Sequence, residues 1–467
     1  MLDFLSPRQP IERSFLRIPR ISGIICGFWP QEQRRSCSTV LRFMVNSFAV
    51  ALGAFSENLY GFIYSGTDLN AALAAFCPGV TKLISLLKMW LFFVDYRDWH
   101  HMTSQLRDML RRIIEHLAAV SGALSLVLLA AGSATNTFFN LRPLVMNVFL
   151  RWQTAAEVAN VLPFNVILPE VFVNNPLLYP LTYGSLTLSG AMTVFTFSAV
   201  DGLFVCVCMY VCGLFRMLQH DIRQAFAELQ PSDVEQNLKF RRQLANIVER
   251  HNAITDLSSK FASKFTLVVL MHFLSAALVL CFSLLNVMLN VSSFEVTIYI
   301  FYSIAASTQL FLYCIGANYV SESSTKVANT LYSIEWYKCD VKTRKIILMM
   351  LRRSQKAQTI AVPFFTPSLP AFTMVRVKKI KQKQQRKLSY KNEDPPPPGF
   401  SMKAALLLSS VLFATFIKFF KNILHVLLLL VLLPSLSSDN KNGVFIYNAV
   451  EKLLVRSKYG NIDVIVG

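Results

Sequence analysis

Asp201 stands alone as an acid inside the apolar run from Val171 to Phe215. An ionisable side chain in such a run is costly unless it faces protein, water or a partner. Two readings stay open for it: a pore-side acid or structural switch, and a helix-packing hydrogen bond to a neighbouring Ser, Thr or Tyr. Cys208 and Cys212 share a helix face, but no second pair or histidine supplies the remaining ligands of a structural metal. With Cys77, Cys206, Cys281 and Cys314, which also lie in apolar blocks, they read as small hydrophobes. His100-His101 follows Trp99 in a basic stretch and reads as a solvated or headgroup-facing pair. The sequence holds no Gly-rich phosphate loop, nucleophile elbow or paired metal-ligand motif. Neither enzyme activity, a metal nor a cofactor is expected.

The elements that position these residues are membrane spans. Of 467 residues, 54% are hydrophobic and 16% charged, whereas soluble domains average about 25% charged. The net charge of +19 lies between the apolar blocks, so it argues for loop asymmetry and against a nucleic-acid partner. A hydrocarbon core about 30 Å thick needs about 20 mostly apolar helical residues. Leu117 to Leu141, Phe265 to Phe294 and Val296 to Ser321 carry no charge, and Val171 to Phe215 carries only Asp201; these give spans three, five, six and four. Phe43 to Gly66, interrupted by Glu57, is span one. Leu69 to Val94, with Lys82, Lys88 and Pro78, is span two; Ser65-Gly66-Thr67-Asp68 reads as the turn between them. A seventh block, Ala357 to Val375, is uncharged but broken by Pro363, Pro367 and Pro370. The expected fold is all-α, a multi-pass bundle of about seven transmembrane helices.

Arg8, Arg13, Arg17, Arg20, Arg34 and Arg35 precede span one without the apolar core of a signal peptide. Basic residues gather again after spans two, four and six, while the opposite loops hold only Arg142 and Arg151. Since Lys and Arg accumulate in cytoplasmic loops, the N-terminus is expected inside, the reverse of G-protein-coupled receptors. The sequon Asn290-Val291-Ser292 falls on the expected outer side.

The later part of the chain carries a family pattern. Phe273-Leu274-Ser275 and Cys281-Phe282-Ser283 are followed by Phe311-Leu312-Tyr313-Cys314 with Gly316 and Asn318. Then come Tyr332 with Glu335-Trp336-Tyr337, Arg353-Ser354-Gln355, Phe364-Phe365 and Phe372-Thr373; Pro163-Phe164 and Tyr179-Pro180-Leu181-Thr182-Tyr183 stand before span four. This series resembles the insect odorant receptor family over roughly residues 10 to 375, most specifically from 300 onward. The resemblance implies a ligand-specific subunit that binds a small volatile hydrophobic odorant. It also implies a hetero-tetramer with the common co-receptor, an odorant-gated non-selective cation channel in the plasma membrane of olfactory sensory neurons, with odorant held among spans two, three, four and six and the last helix lining the pore.

Within that frame, Phe138, Phe139, Thr135, Thr193, Phe197, Tyr299 and Tyr302 are candidate ligand contacts, Phe195 lying at similar depth. The aromatic rings serve equally as bundle packing or lipid-interface anchors, and hydroxyls would orient one polar group of the ligand. Arg344 to Lys356 reads as an amphipathic cytoplasmic helix whose apolar stripe of Ile346, Ile347, Met350 and Leu351 suits a partner subunit or a lipid surface. Ile347, Leu351, Trp336 and Tyr337 are the assembly candidates. The expected organisation is a cytoplasmic arm over 1–42, spans one to six with the pocket over 43–320, an anchor over 321–360 and the start of span seven over 361–375.

From Arg376 the pattern stops and Lys378, Lys379, Lys381 and further basic residues follow up to Lys391, then four prolines and Gly399. Val375-Arg376 can be encoded by a splice-donor-like codon pair, and Lys-rich then Leu- and Phe-rich stretches suit noncoding sequence read in frame. Residues 376–467 are therefore expected to be an atypical tail, translated intron by this reading. Alternatives in the same superfamily are a gustatory-type receptor and a non-conducting decoy subunit.

Overall fold

Each uncharged block before residue 360 becomes a helix, because a chain in lipid must satisfy its backbone polar groups within the segment. The computed structural model describes residues 15–30, 35–110, 115–154, 161–227, 234–289 and 293–360. The chain divides into two units, Met1–Ser389 and Tyr390–Gly467, and all described residues lie in the first. Block seven from residue 361 onward, the tail and the Asn290 sequon fall outside the described residues.

In chain order the helices are α1 (Arg17–Cys26), α2 (Cys37–Tyr64), α3 (Leu69–Val94), α4 (Tyr96–Leu110), α5 (Glu115–Thr154), α6 (Val171–Asn174), α7 (Leu178–Ala227), α8 (Val234–Leu289), α9 (Ser293–Ser333) and α10 (Val341–Ser354), with a 3-10 turn at Trp336–Lys338 between the last two. Six of them, α2, α3, α5, α7, α8 and α9, are long and apolar enough to cross a membrane. The α2–α3 turn lies where the sequence places it: the Asp68 amide donates to Tyr64 O at 2.9 Å, and its carboxylate caps α3 by accepting from Ala71 N at 3.1 Å.

Burial separates a central helix from peripheral ones. Every residue of α7 from Thr196 to Phe215 except Met209 is buried, as befits a helix apolar all round. By contrast α2 presents Phe48, Phe55 and Phe62, spaced seven apart and each 70% exposed, a stripe suited to lipid. The 50 residues of α7 span about 75 Å at 1.5 Å per residue. The helix therefore overruns the bilayer, as do α8 and α9, and the overhanging ends form a bundle with α10.

Two boundaries differ from expectation for local reasons. The block beginning at Val171 does not run straight into span four. It makes one helical turn, α6, and breaks at Asn175, which is extended (φ −79, ψ 122) because it precedes Pro176. The N-terminal arm also contains a helix, α1, docked on α7: Ser22 Oγ donates to Ser198 Oγ at 3.1 Å, and Leu16, Ile18, Cys26 and Phe28 are buried. Gly27 ends α1 at φ +88, and a Cβ there would lie 2.7 Å from Phe43 N, so only glycine fits both the conformation and the contact with α2.

The stripe on α10 packs partly within the chain. Ile347 and Met350 are 1% and 3% exposed within the single chain, packed into its own core with Ile346 and Leu351 at the margin. Ile347 and Met350 are used in packing inside the chain, while Ile346 and Leu351 stay half-buried. The outward apolar residues of α10 are Val341, Leu348 and Met349. Asp340 caps the helix: the Thr343 hydroxyl donates to it at 2.5 Å and the Lys342 amide at 3.1 Å, holding its carboxyl below the usual carboxylate range.

Candidate ligand-binding cavity

A cavity of about 110 Å³ opens between five of the long helices. From α3 it takes Pro78, Thr81 and Lys82, and from α5 Leu128, Gly132, Thr135, Asn136 and Phe139. Gly190, Thr193, Val194 and Phe197 of α7 face His272, Ser275, Ala276 and Val279 of α8; Tyr302, Ala305, Ala306 and Gln309 of α9 complete the wall with Phe164. Within each helix the lining recurs three or four residues apart, one face of a 3.6-residue period. The wall is mostly apolar, with a few polar atoms.

Five of the sequence candidates come together here: Thr135, Phe139, Thr193, Phe197 and Tyr302. Two do not. Phe138 is one residue, and so about 100°, round α5 from Phe139; it is 41% exposed and stacks on Phe301 at 5.6 Å. Tyr299 is buried behind the wall, its ring edge-on to Phe139 at 6.4 Å, in a small cluster with Cys77, Leu186 and Ile298. The hydroxyls at the wall are already engaged. Thr135 donates to Ala131 O and Thr193 to Ser189 O, both at 2.9 Å, and Tyr302 donates to Cys77 O at 3.1 Å. What they offer a ligand is lone pairs.

Sequence reading missed the charged residues at and beneath the wall as partners. Lys82 pairs with Glu57 of α2, both side chains at most 2% exposed, and its ammonium lies 3.7 Å from the centre of the Phe164 ring. Lys88 donates to Asp201 Oδ1 at 2.6 Å, Tyr313 OH donates to the same oxygen at 2.7 Å, and Lys88 Nζ lies 3.3 Å from His272 Nδ1. Asp201 thus has the tyrosine hydrogen bond foreseen as one reading, together with an ion pair. Neither lysine is left as an uncompensated charge, which burial would make prohibitive. Among the described residues no three His, Cys, Asp or Glu side chains gather as a metal site. Trp336 packs at the edge of the core, whereas Tyr337 beside it is 59% exposed.

A model of the family described as 7tm Odorant receptor matches residues 68–377, about two thirds of the chain, and reaches from the start of span two past the last described helix. The chain belongs to the odorant receptor family. This receptor chain is 50% identical over 387 residues to odorant receptor 22c of Drosophila melanogaster, covering 79% of this chain and 96% of that protein. It is 31% identical over 146 residues, 30% of each chain, to the odorant receptor coreceptor of Aedes aegypti. Its fold resembles the olfactory receptor OR5 of Machilis hrabei in complex with eugenol, with a TM-score of 0.64, 17% identity, and coverage of 83% of this chain and 98% of that one. The receptor is therefore a multi-pass helical membrane protein. Its family match ends two residues beyond Val375, leaving most of the tail outside.

Proposed function

We propose that this receptor chain is a ligand-specific subunit that takes a small volatile hydrophobic odorant into the α3–α5–α7–α8–α9 cavity and gates a non-selective cation channel as a hetero-tetramer with the common co-receptor. The observation that carries this reading is the cavity itself: about 110 Å³, mostly apolar, and lined by faces of five helices. An apolar cavity of roughly 150 Å³ holds benzene, so this one, at about 110 Å³, suits a short chain as it stands and a single ring once its walls move outward. A molecule of that size is volatile. Thr135, Phe139, Thr193, Phe197 and Tyr302 are its proposed contacts, with the N-terminus inside and the complex in the plasma membrane of sensory neurons.

Support for a co-receptor partner comes from the likeness to the Aedes aegypti coreceptor, and support for a small aromatic ligand from the eugenol bound in the Machilis protein. Binding gates only if the open arrangement holds the ligand better than the closed one. The departure of the tail from the family, whose match ends at residue 377, supports a second reading, a subunit that assembles but does not conduct. One experiment addresses both: co-express the chain with the co-receptor, apply a panel of small volatiles and record current without added G protein. Odorant-evoked cation current that Phe197→Trp abolishes is expected. Surface-localised complexes silent to every volatile would leave the non-conducting reading.

A further inference from the structure

We propose that Gln309 fixes the polar end of the ligand, its carboxamide hydrogen-bonding the hydroxyl of a short-chain alcohol. This rests on the function proposed above and adds the chemical class of the odorant. Gln309 lies midway along the uncharged run from Val296 to Ser321, lines the cavity and is half-buried. Its direction follows from its neighbours on α9. Tyr302 stands seven residues earlier and Tyr313 four later, so all three share one helix face to within about 40°. Both tyrosines point into the bundle: Tyr302 OH donates to Cys77 O of α3 at 3.1 Å and Tyr313 OH to Asp201 of α7 at 2.7 Å. Ala305 and Ala306, between Tyr302 and Gln309, also line the cavity, so this face of α9 is its wall.

A carboxamide brings two donors and an acceptor, and that of Gln309 hydrogen-bonds to none of the described residues. Its atoms are not among the sealed-off polar atoms, which include His272 Nε2; they keep accessible surface on the face that lines the cavity. Leaving such a group unpaired in the middle of a span is costly. Other groups at the wall are poorer donors. The Thr135, Thr193 and Ser275 hydroxyls donate within their own helices, and Lys82 is held by Glu57. The competing carboxamide, Asn136, packs so closely on Gly190 of α7 that no Cβ would fit there. Gln309 thus supplies the N–H to a ligand oxygen, while its own Oε1 or a hydroxyl lone pair takes the ligand's proton. An alcohol uses both bonds, an ether only the first and a hydrocarbon neither.

The test uses three probes of matched size, n-pentanol, butyl methyl ether and hexane, on cells that also express the co-receptor. The ratio of the effective concentrations of hexane and n-pentanol should fall roughly tenfold in Gln309→Met, as loss of one neutral hydrogen bond allows, with the ether shifting less and hexane still active. Asn136→Leu should leave that ratio as in the parent, whatever its effect on sensitivity. An unchanged ratio in Gln309→Met, an equal loss of all three responses at normal surface expression, or a shift in Asn136→Leu instead overturns the assignment. A parent complex silent to all three probes counts against the function proposed above; protection of the purified receptor from thermal unfolding by the same probes then decides on Gln309 alone. There n-pentanol should lose its advantage over hexane in Gln309→Met, and an equal advantage in both chains, or no protection by any probe, overturns the proposal.

Discussion

Removing one charge from the Lys88–Asp201 pair would leave the other at most 2% exposed with no opposite charge beside it. Such a loss costs about 3–5 kcal/mol, whereas exchanging both partners for apolar groups is often neutral. Lys88→Met and Asp201→Leu are each expected to lower the thermal unfolding temperature in detergent and the surface level, and the double variant should recover most of the loss. Singles as stable as the parent would sink the idea that the pair is a structural unit. Asp201 was legible in the sequence because a lone acid in an apolar run is conspicuous. Lys82 and Lys88 were legible only as interruptions of span two, since their partners lie on helices whose adjacency no local period reveals. Likewise Phe138 and Phe139 are equal in composition, and only the rotation of α5 decides which of them reaches the cavity.

At the scale of elements, α10 illustrates how an amphipathic pattern states that a face is covered without stating by what. The stripe of Ile347 and Met350 covers the chain's own core, so Ile347→Asp should unfold the end of the subunit that carries α10. Met349 is 67% exposed, and Met349→Asp is expected to leave the single chain folded while weakening co-purification with the co-receptor. Limited proteolysis of the isolated subunit separates the two: if both variants are cut alike, the inward packing of α10 described above is wrong. Spans three, five and six were readable because long uncharged runs have few alternatives in lipid. The break before α7 was readable in principle from Pro176, whereas α1 was hidden, its ten residues falling among arginines and prolines that suggested only an arm.

For the whole molecule, the loop-charge asymmetry predicts that an N-terminal tag stays hidden from antibody in intact cells and is reached after permeabilisation. Staining of intact cells would invert every span. The tail reading predicts spliced antennal messages that leave the frame at Val375; messages running through Arg376 and Lys391 that encode a conducting protein would end it. The two buried ion pairs bear also on how the chain enters the membrane. A lysine near the centre of a span costs about 2.5–3.5 kcal/mol at insertion, and α3 carries two. Glu57 is synthesised before Lys82, so the α2–α3 hairpin can neutralise that charge as it leaves the translocon. Lys88 must wait for Asp201, which follows it by 113 residues. Until α7 arrives, α3 is an incompletely settled helix, open to chaperone binding or to quality-control degradation. Completion of the fourth span thus becomes a checkpoint in biogenesis, and a chain arrested before it should be cleared.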